Sequence, residues 1–202
     1  GLRQVIAFSS TSAATKIASM APGERALAER LVASEAALQR ECARLGCHWN
    51  LVRPTLIYGG KDDLVARISA FAARWHVHPV PSGALGRALR QPVHAADLAL
   101  ATMKLIDNQA ARDRAFDLAG GETLPLAQLI ARSARARGNW SLPIPAPLAA
   151  TLRIAAMTRM LPSSAALSPE SLQRMTQDQV FDIGPARTTL GYSPRPFRPG
   201  SA

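Results

Sequence analysis

Residues 4 to 56 carry a strand–helix–strand pattern, and this constrains the fold more than anything else in the chain. Residues 4 to 8 are a short apolar run, Val5-Ile6-Ala7-Phe8 after Gln4, ended by the cluster Ser9-Ser10-Thr11-Ser12. A run of this kind suits a buried parallel strand. From Gly23 to Leu45 the apolar residues Leu27, Leu31, Leu38, Cys42 and Leu45 recur at helical spacing, and Gly46 supplies the stop. His48 to Leu56 reads as a second strand, closed by Pro54. One βαβ unit results, with a right-handed crossover and a parallel sheet. The fold class is therefore α/β.

Beyond Gly59 the pattern loosens. Residues 62 to 75 place Leu64, Val65, Ile68, Phe71 and Trp75 on one face, and residues 76 to 94 are rich in Pro and Gly with short strands. Gly83-Ala84-Leu85-Gly86 reads as a loop or hairpin turn. A helix from about Ala95 to Ile106 and a strand from Ala115 to Leu118 follow, then a helix with Thr123 as its expected cap. Further helical stretches are expected over about 147 to 160 and 168 to 177, the second opened by Ser168-Pro169-Glu170. The tail from Pro194 is expected to be loose.

Composition narrows the classes. At 202 residues and 48% apolar content the chain can bury one core or one and a half. Two cysteines, Cys42 and Cys47, make no disulfide framework and lack metal-ligand company, which points to a reducing cytoplasm. No apolar run reaches the ~18 residues that span a bilayer. The net charge of +10 is almost all arginine and favours polyanions or phosphate-bearing molecules. The arginines are spread along the chain, and the tightest group, Arg132, Arg135 and Arg137, ends a helix where cations suit the dipole. Aromatics are 5%, too few for the interleaved stacking of a nucleic-acid stripe, so no nucleic-acid partner is expected. His76 and His78 would share a face of an extended stretch, but no Cys, Asp or third His lies near, so no metal site is expected.

Four ordered fragments carry a resemblance: Val5 to Thr11; Arg53-Pro54-Thr55-Leu56-Ile57-Tyr58-Gly59; Arg90-Gln91-Pro92-Val93-His94 with Ala96-Asp97-Leu98-Ala99; and Phe116-Asp117-Leu118-Ala119-Gly120-Gly121. Asp178 to Asp182 and Leu190 to Pro194 extend it. In that order the chain resembles the second half of an extended short-chain dehydrogenase/reductase, the NAD-dependent epimerase/dehydratase family. The resemblance implies the distal half of a Rossmann-like parallel sheet over residues 1–60, with 95–120 able to pack back onto it, and a small, mainly helical substrate domain over 61–202. The direct entry from Gly1 into a strand is expected of a chain whose preceding half lies elsewhere.

The same resemblance implies roles. Thr11 would hydrogen-bond the reacting hydroxyl of the substrate, although a Ser/Thr cluster after a strand equally serves loop backbone. Ser9, Ser10, Thr55 and Tyr58 would meet the cofactor, NAD or NADP in the full-length parent. Arg90 would meet the diphosphate of a nucleotide-sugar-like ligand, or be an ordinary ion-pair partner. Asp97 is expected to cap its helix and hold a loop. Two departures stand against these roles. No GxGxxG or GxxGxxG occurs, so this chain alone is not expected to hold a dinucleotide tightly. No Tyr-x-x-x-Lys occurs either: Tyr58 is followed four on by Asp62 and Tyr192 by Pro196. Counting from Glu35, the expected pair falls at Leu27 and Leu31, which are read as core. Two functions stay open, part of an NAD(P)-dependent enzyme on nucleotide sugars or a non-catalytic binding module. Self-association or a missing N-terminal half is expected as partner.

Overall fold

The computed structural model describes residues 1–60, 77–136, 138–145 and 175–200. The apolar face expected over 62–75, the helical stretch expected over 147–160, the Ser168-Pro169-Glu170 start signal with most of 168–177, and His76 lie outside the described residues. In chain order the elements begin with β1 (Gln4–Phe8), α1 (Ser12–Thr15), α2 (Pro22–Leu45), β2 (His48–Pro54), β3 (Ile57–Tyr58), β4 (Val77–Pro81) and α3 (Gly83–Arg87). They continue with β5 (Leu89–Arg90), β6 (Val93–His94), α4 (Ala95–Leu105), β7 (Arg114–Leu118), β8 (Leu124–Pro125), α5 (Leu126–Arg135), β9 (Trp140–Ile144) and α6 (Gly184–Leu190). They fall into two compact units, the first Gly1–Ile57, Gln91–Glu122 and Val180–Phe197, the second Tyr58–Arg90, Thr123–Gln179 and Arg198–Ala202.

Unit 1 is built on a parallel sheet of order β1-β2-β7. Side chains alternate across a strand, so Val52, paired with Phe116, faces one way and Arg53, paired with Asp117, the other. On the first side Val52, Phe116 and Leu118 pack with Leu98, Ala101 and Leu105 of α4 and Ala186 and Leu190 of α6 into the core. On the second side lies α2. Among the described residues the outer edge of β1 pairs with no strand, and β1 is half-buried with Phe8 56% exposed. The fully buried strand expected from its apolar run is corrected to an edge strand.

Helix α2 ends where expected, on Gly46 at φ 65°. Its buried line is Ala28, Glu35 and Cys42, spaced by seven, and not the leucines. Leu27 is 41% exposed and Leu31 half-buried, so their assignment to the core is corrected. Helical periodicity locates an apolar face without saying how much of it a neighbour covers. After the helix, the Cys47 amide donates to Cys42 O and the Gly46 amide to Ala43 O, the paired bonds of a left-handed glycine cap. That cap brings the Cys42 and Cys47 side chains together, both buried, and burial pushes the Cys42 thiol up to about 11, with Cys47 adding to the shift.

Three further expectations are corrected. Gly83 to Gly86 belong to the short helix α3, where Leu85 is buried and a Cβ on Gly86 would overlap Pro81 O at 2.1 Å. Thr123 caps nothing, because Leu124–Pro125 first pair antiparallel with β5 and α5 starts only at Leu126. The tail is anchored: Arg195 N–H and Nε donate to Asp97, Gly121 N–H donates to Arg195 O, and Phe197 is buried. Asp97 thus holds a loop as expected, while the cap of α4 is His94 Nδ1, accepting from Ala96 N–H at 3.0 Å. Gly120 is required by close approach, since a Cβ there would lie 1.8 Å from Pro92 O. Unit 2 pairs β4 parallel with β9, and β5 antiparallel with β8.

Candidate functional site

In an open parallel sheet, ligand chemistry collects beyond the carboxyl ends of the strands. In unit 1 that edge holds Ser9, just after β1, and the paired residues Arg53 and Asp117, each one before the end of β2 and β7, with Glu35 of α2 bonded to Ser9 and Arg53. Arg53 Nε donates to Glu35 Oε1 at 2.9 Å and Arg53 Nη2 donates to Oε2, a bidentate pair. Ser9 Oγ donates to Glu35 Oε1 at 2.5 Å. The Arg53 bonds hold the Glu35 carboxyl below its ordinary value of 4.5 against the opposing pull of burial, and Ser9 adds to them. Glu35 in turn raises Arg53. Asp117 goes the other way: burial raises its carboxyl above 3.8, Arg53 partly offsets this, and Glu35 adds to it.

The two carboxyls oppose each other in acid. Glu35, depressed in the fold, stabilises above pH 4.5 and loses that contribution as pH falls through its folded value. Asp117, raised in the fold, costs stability above its folded value, and that cost is relieved as pH falls toward 3.8. Asp117→Asn should therefore raise stability at pH 7 and steepen the loss on acidification. Denaturant melts at pH 7 and pH 4 check this; equal or smaller acid loss than in the parent would refute it.

The residues singled out from sequence are placed as follows. Thr11 is buried after β1, and its hydroxyl donates to Pro54 O at 3.2 Å. Ser10 Oγ accepts from Ser12 N–H at 3.1 Å. Thr55 Oγ1 donates to Gln91 O at 2.5 Å. These three and Ser9 belong to unit 1. Tyr58 and Arg90 belong to unit 2. Tyr58 is buried, and its hydroxyl accepts from Arg198 N–H at 3.4 Å. Arg90 is buried, with Nη1 donating to Leu89 O and Gln177 O and Nη2 to Met175 O, at 2.7, 2.8 and 2.6 Å. Ser9, Thr11 and Thr55 already donate within the chain, and this set does not fit a dinucleotide. Leu27 and Leu31, two turns and one turn before Glu35 on the same helix, present apolar side chains where a proton-transfer pair was sought.

Sequence reasoning missed Asp117 as a site residue and treated Glu35 only as a counting mark. The available signal was charge inside apolar strands, Arg53 after Leu51-Val52 and Asp117 between Phe116 and Leu118. Among the described residues no three His, Cys, Asp or Glu are grouped to hold a metal ion, and no helix is long and apolar enough to cross a membrane.

No family model matches the chain. Its fold does match solved structures. An epimerase from Methanothermobacter thermautotrophicus superposes with TM-score 0.66 at 14% identity, over 99% of this chain and 57% of that one. The fold is that of the epimerases. UDP-glucose 4-epimerase from Thermotoga maritima, solved with UDP-glucose, gives TM-score 0.66 at 16% identity over 96% and 59%. UDP-glucuronic acid 4-epimerase from Bacillus cereus, solved with NAD, gives 0.66 at 13% over 96% and 56%. The chain thus spans less than two thirds of the length of these epimerases, and it carries an epimerase-like α/β fold with parallel sheets.

Proposed function

We propose that this chain is the substrate-side part of an epimerase/dehydratase-like protein, binding a nucleotide-sugar-like ligand without the family's Tyr–Lys proton transfer. One observation carries this reading: Leu27 and Leu31 stand on α2 at the positions expected to move protons, and the Thr11 hydroxyl after β1 donates to Pro54 O. A leucine has no proton to give. Titration of the chain with UDP-glucose in a calorimeter should give saturable heat, while NAD and NADP should give none at micromolar concentration. Micromolar NAD affinity, or reduction of NAD by the chain with a nucleotide sugar, would overturn the reading.

A second reading, an atypical enzyme, is favoured by Asp117. This half-buried carboxyl at the carboxyl edge of the sheet has a raised proton affinity, the property of a general acid. Under that reading Asp117→Asn abolishes turnover and leaves ligand affinity within about twofold.

We also propose that the open edge of β1, beside exposed Leu2 and Phe8, is paired in the working protein by a strand from a second copy or from an N-terminal half. Sedimentation should find the chain self-associated at micromolar concentration. A monodisperse, cooperatively unfolding monomer, which needs no strand on that edge, would refute the proposal.

A further inference from the structure

At the end of α5 in unit 2 the chain turns through Gly138 into β9, and Arg135, Gly138, Asn139, Trp140 and Ser141 line a cleft of about 490 Å³. Two features set it apart from an ordinary surface hollow. The Asn139 side chain is more than nine-tenths buried, and its amide nitrogen has no hydrogen-bond partner. Buried polar groups are nearly always paired, so an orphaned donor on a residue that lines a cleft asks for an acceptor, which a rotation of the side-chain amide would bring within reach of a ligand there. Beside it Trp140 is 79% exposed. A bare indole offers a flat stacking surface, which singly exposed aliphatic residues do not. Arg135, in the last turn of α5, adds a permanent cation on a chain of net charge +10.

We propose that this cleft binds a planar, hydrogen-bond-accepting aromatic anion, of which a mononucleotide is the probe to use. The base stacks on the Trp140 indole. A ring nitrogen or carbonyl of the base accepts from the Asn139 amide, which turns its two N–H groups toward the ligand about its soft terminal torsion. The phosphate meets Arg135. The place is separate from that of Arg90: β5, bearing Arg90, pairs with β8 just before α5 begins, whereas the cleft lies at the other end of this ten-residue helix, roughly 15 Å away.

The test uses the full chain, adenosine monophosphate and uridine monophosphate as probes, and adenosine and inorganic phosphate as controls. Tryptophan fluorescence should be quenched saturably by either nucleotide, with a midpoint below about 1 mM. Adenosine should bind about tenfold more weakly, and phosphate should not quench. By calorimetry, Trp140→Ala should weaken nucleotide binding at least about tenfold, and Arg135→Ala and Asn139→Ala at least about threefold each. Asn139→Ala removes an unpaired buried donor, so its melting temperature should equal or exceed that of the parent while its affinity falls, an outcome that a purely structural role cannot give. The proposal is overturned if no nucleotide binds below several millimolar, if phosphate alone binds as well as the nucleotides, or if Trp140→Ala binds as the parent does.

Discussion

Glu35→Ala should lower the stability of the chain by about 3 kcal/mol, the cost of leaving a mostly buried ion-pair partner without its counter-charge. For a chain of this size that is a fall in melting temperature of roughly 6–12 °C. Arg53 would lose both arms of its fork and Ser9 its acceptor, and Asp117 would become the remaining carboxylate beside the guanidinium. Two controls separate the ion pair from mere loss of side chain. Leu27→Ala, two turns nearer the helix start and 41% exposed, should cost under about 0.5 kcal/mol. Replacing both partners, Glu35→Leu with Arg53→Met, should recover much of the loss, because no unpaired charge remains. Calorimetric melts of the three variants decide the matter; a Glu35→Ala protein within 1 °C of the parent would show that the pair contributes nothing.

Arg90→Ala should be nearly as damaging, at about 3 kcal/mol, because it strips a buried guanidinium from three backbone carbonyls. Two of those carbonyls, on Met175 and Gln177, belong to a segment tied further by Asp178 accepting from Leu89 N–H and Gln179 N–H donating to Leu89 O. The amides of residues 177–179 should therefore exchange hydrogen faster in the variant. Arg90→Lys keeps the charge but cannot span three acceptors, so it should recover less than half the loss. If Arg90→Ala instead melts like the parent and binds UDP-glucose at least tenfold more weakly, the arginine serves ligand and not fold.

In unit 1, β1, α2, β2, α4 and β7 were legible because each announces itself locally, whereas the short helices α1 and α6 were not expected. The apolar run at 4–8, the Gly46 stop and Pro54 delimit β1, α2 and β2 to within two residues. What was illegible depends on contacts distant in sequence. Nothing near Pro194 indicates that Arg195 will find Asp97, or that Phe197 will be buried. Gly83 to Gly86 has poor helix propensity, and tertiary packing at Leu85 and Gly86 overrides it. The site was half legible: motif order picked out Thr11, Thr55 and Arg90, yet no motif says whether a hydroxyl or guanidinium faces a ligand or the chain's own carbonyls.

Unit 1 is assembled from three stretches, the last of them Val180–Phe197, with the whole of unit 2's central segments lying between. The order of synthesis therefore matters. At about 5–20 residues per second, the strands β1 and β2 emerge many seconds before α6 and the Asp97–Arg195 tie that complete their core. Until then the apolar side of the nascent sheet has only α4 to cover it, so early release or truncation before Phe197 leaves a sticky, half-closed chain. Contacts of such long sequence separation also slow refolding. The segment Val180–Phe197, plain in composition, decides whether the sheet of β1 and β2 can finish folding.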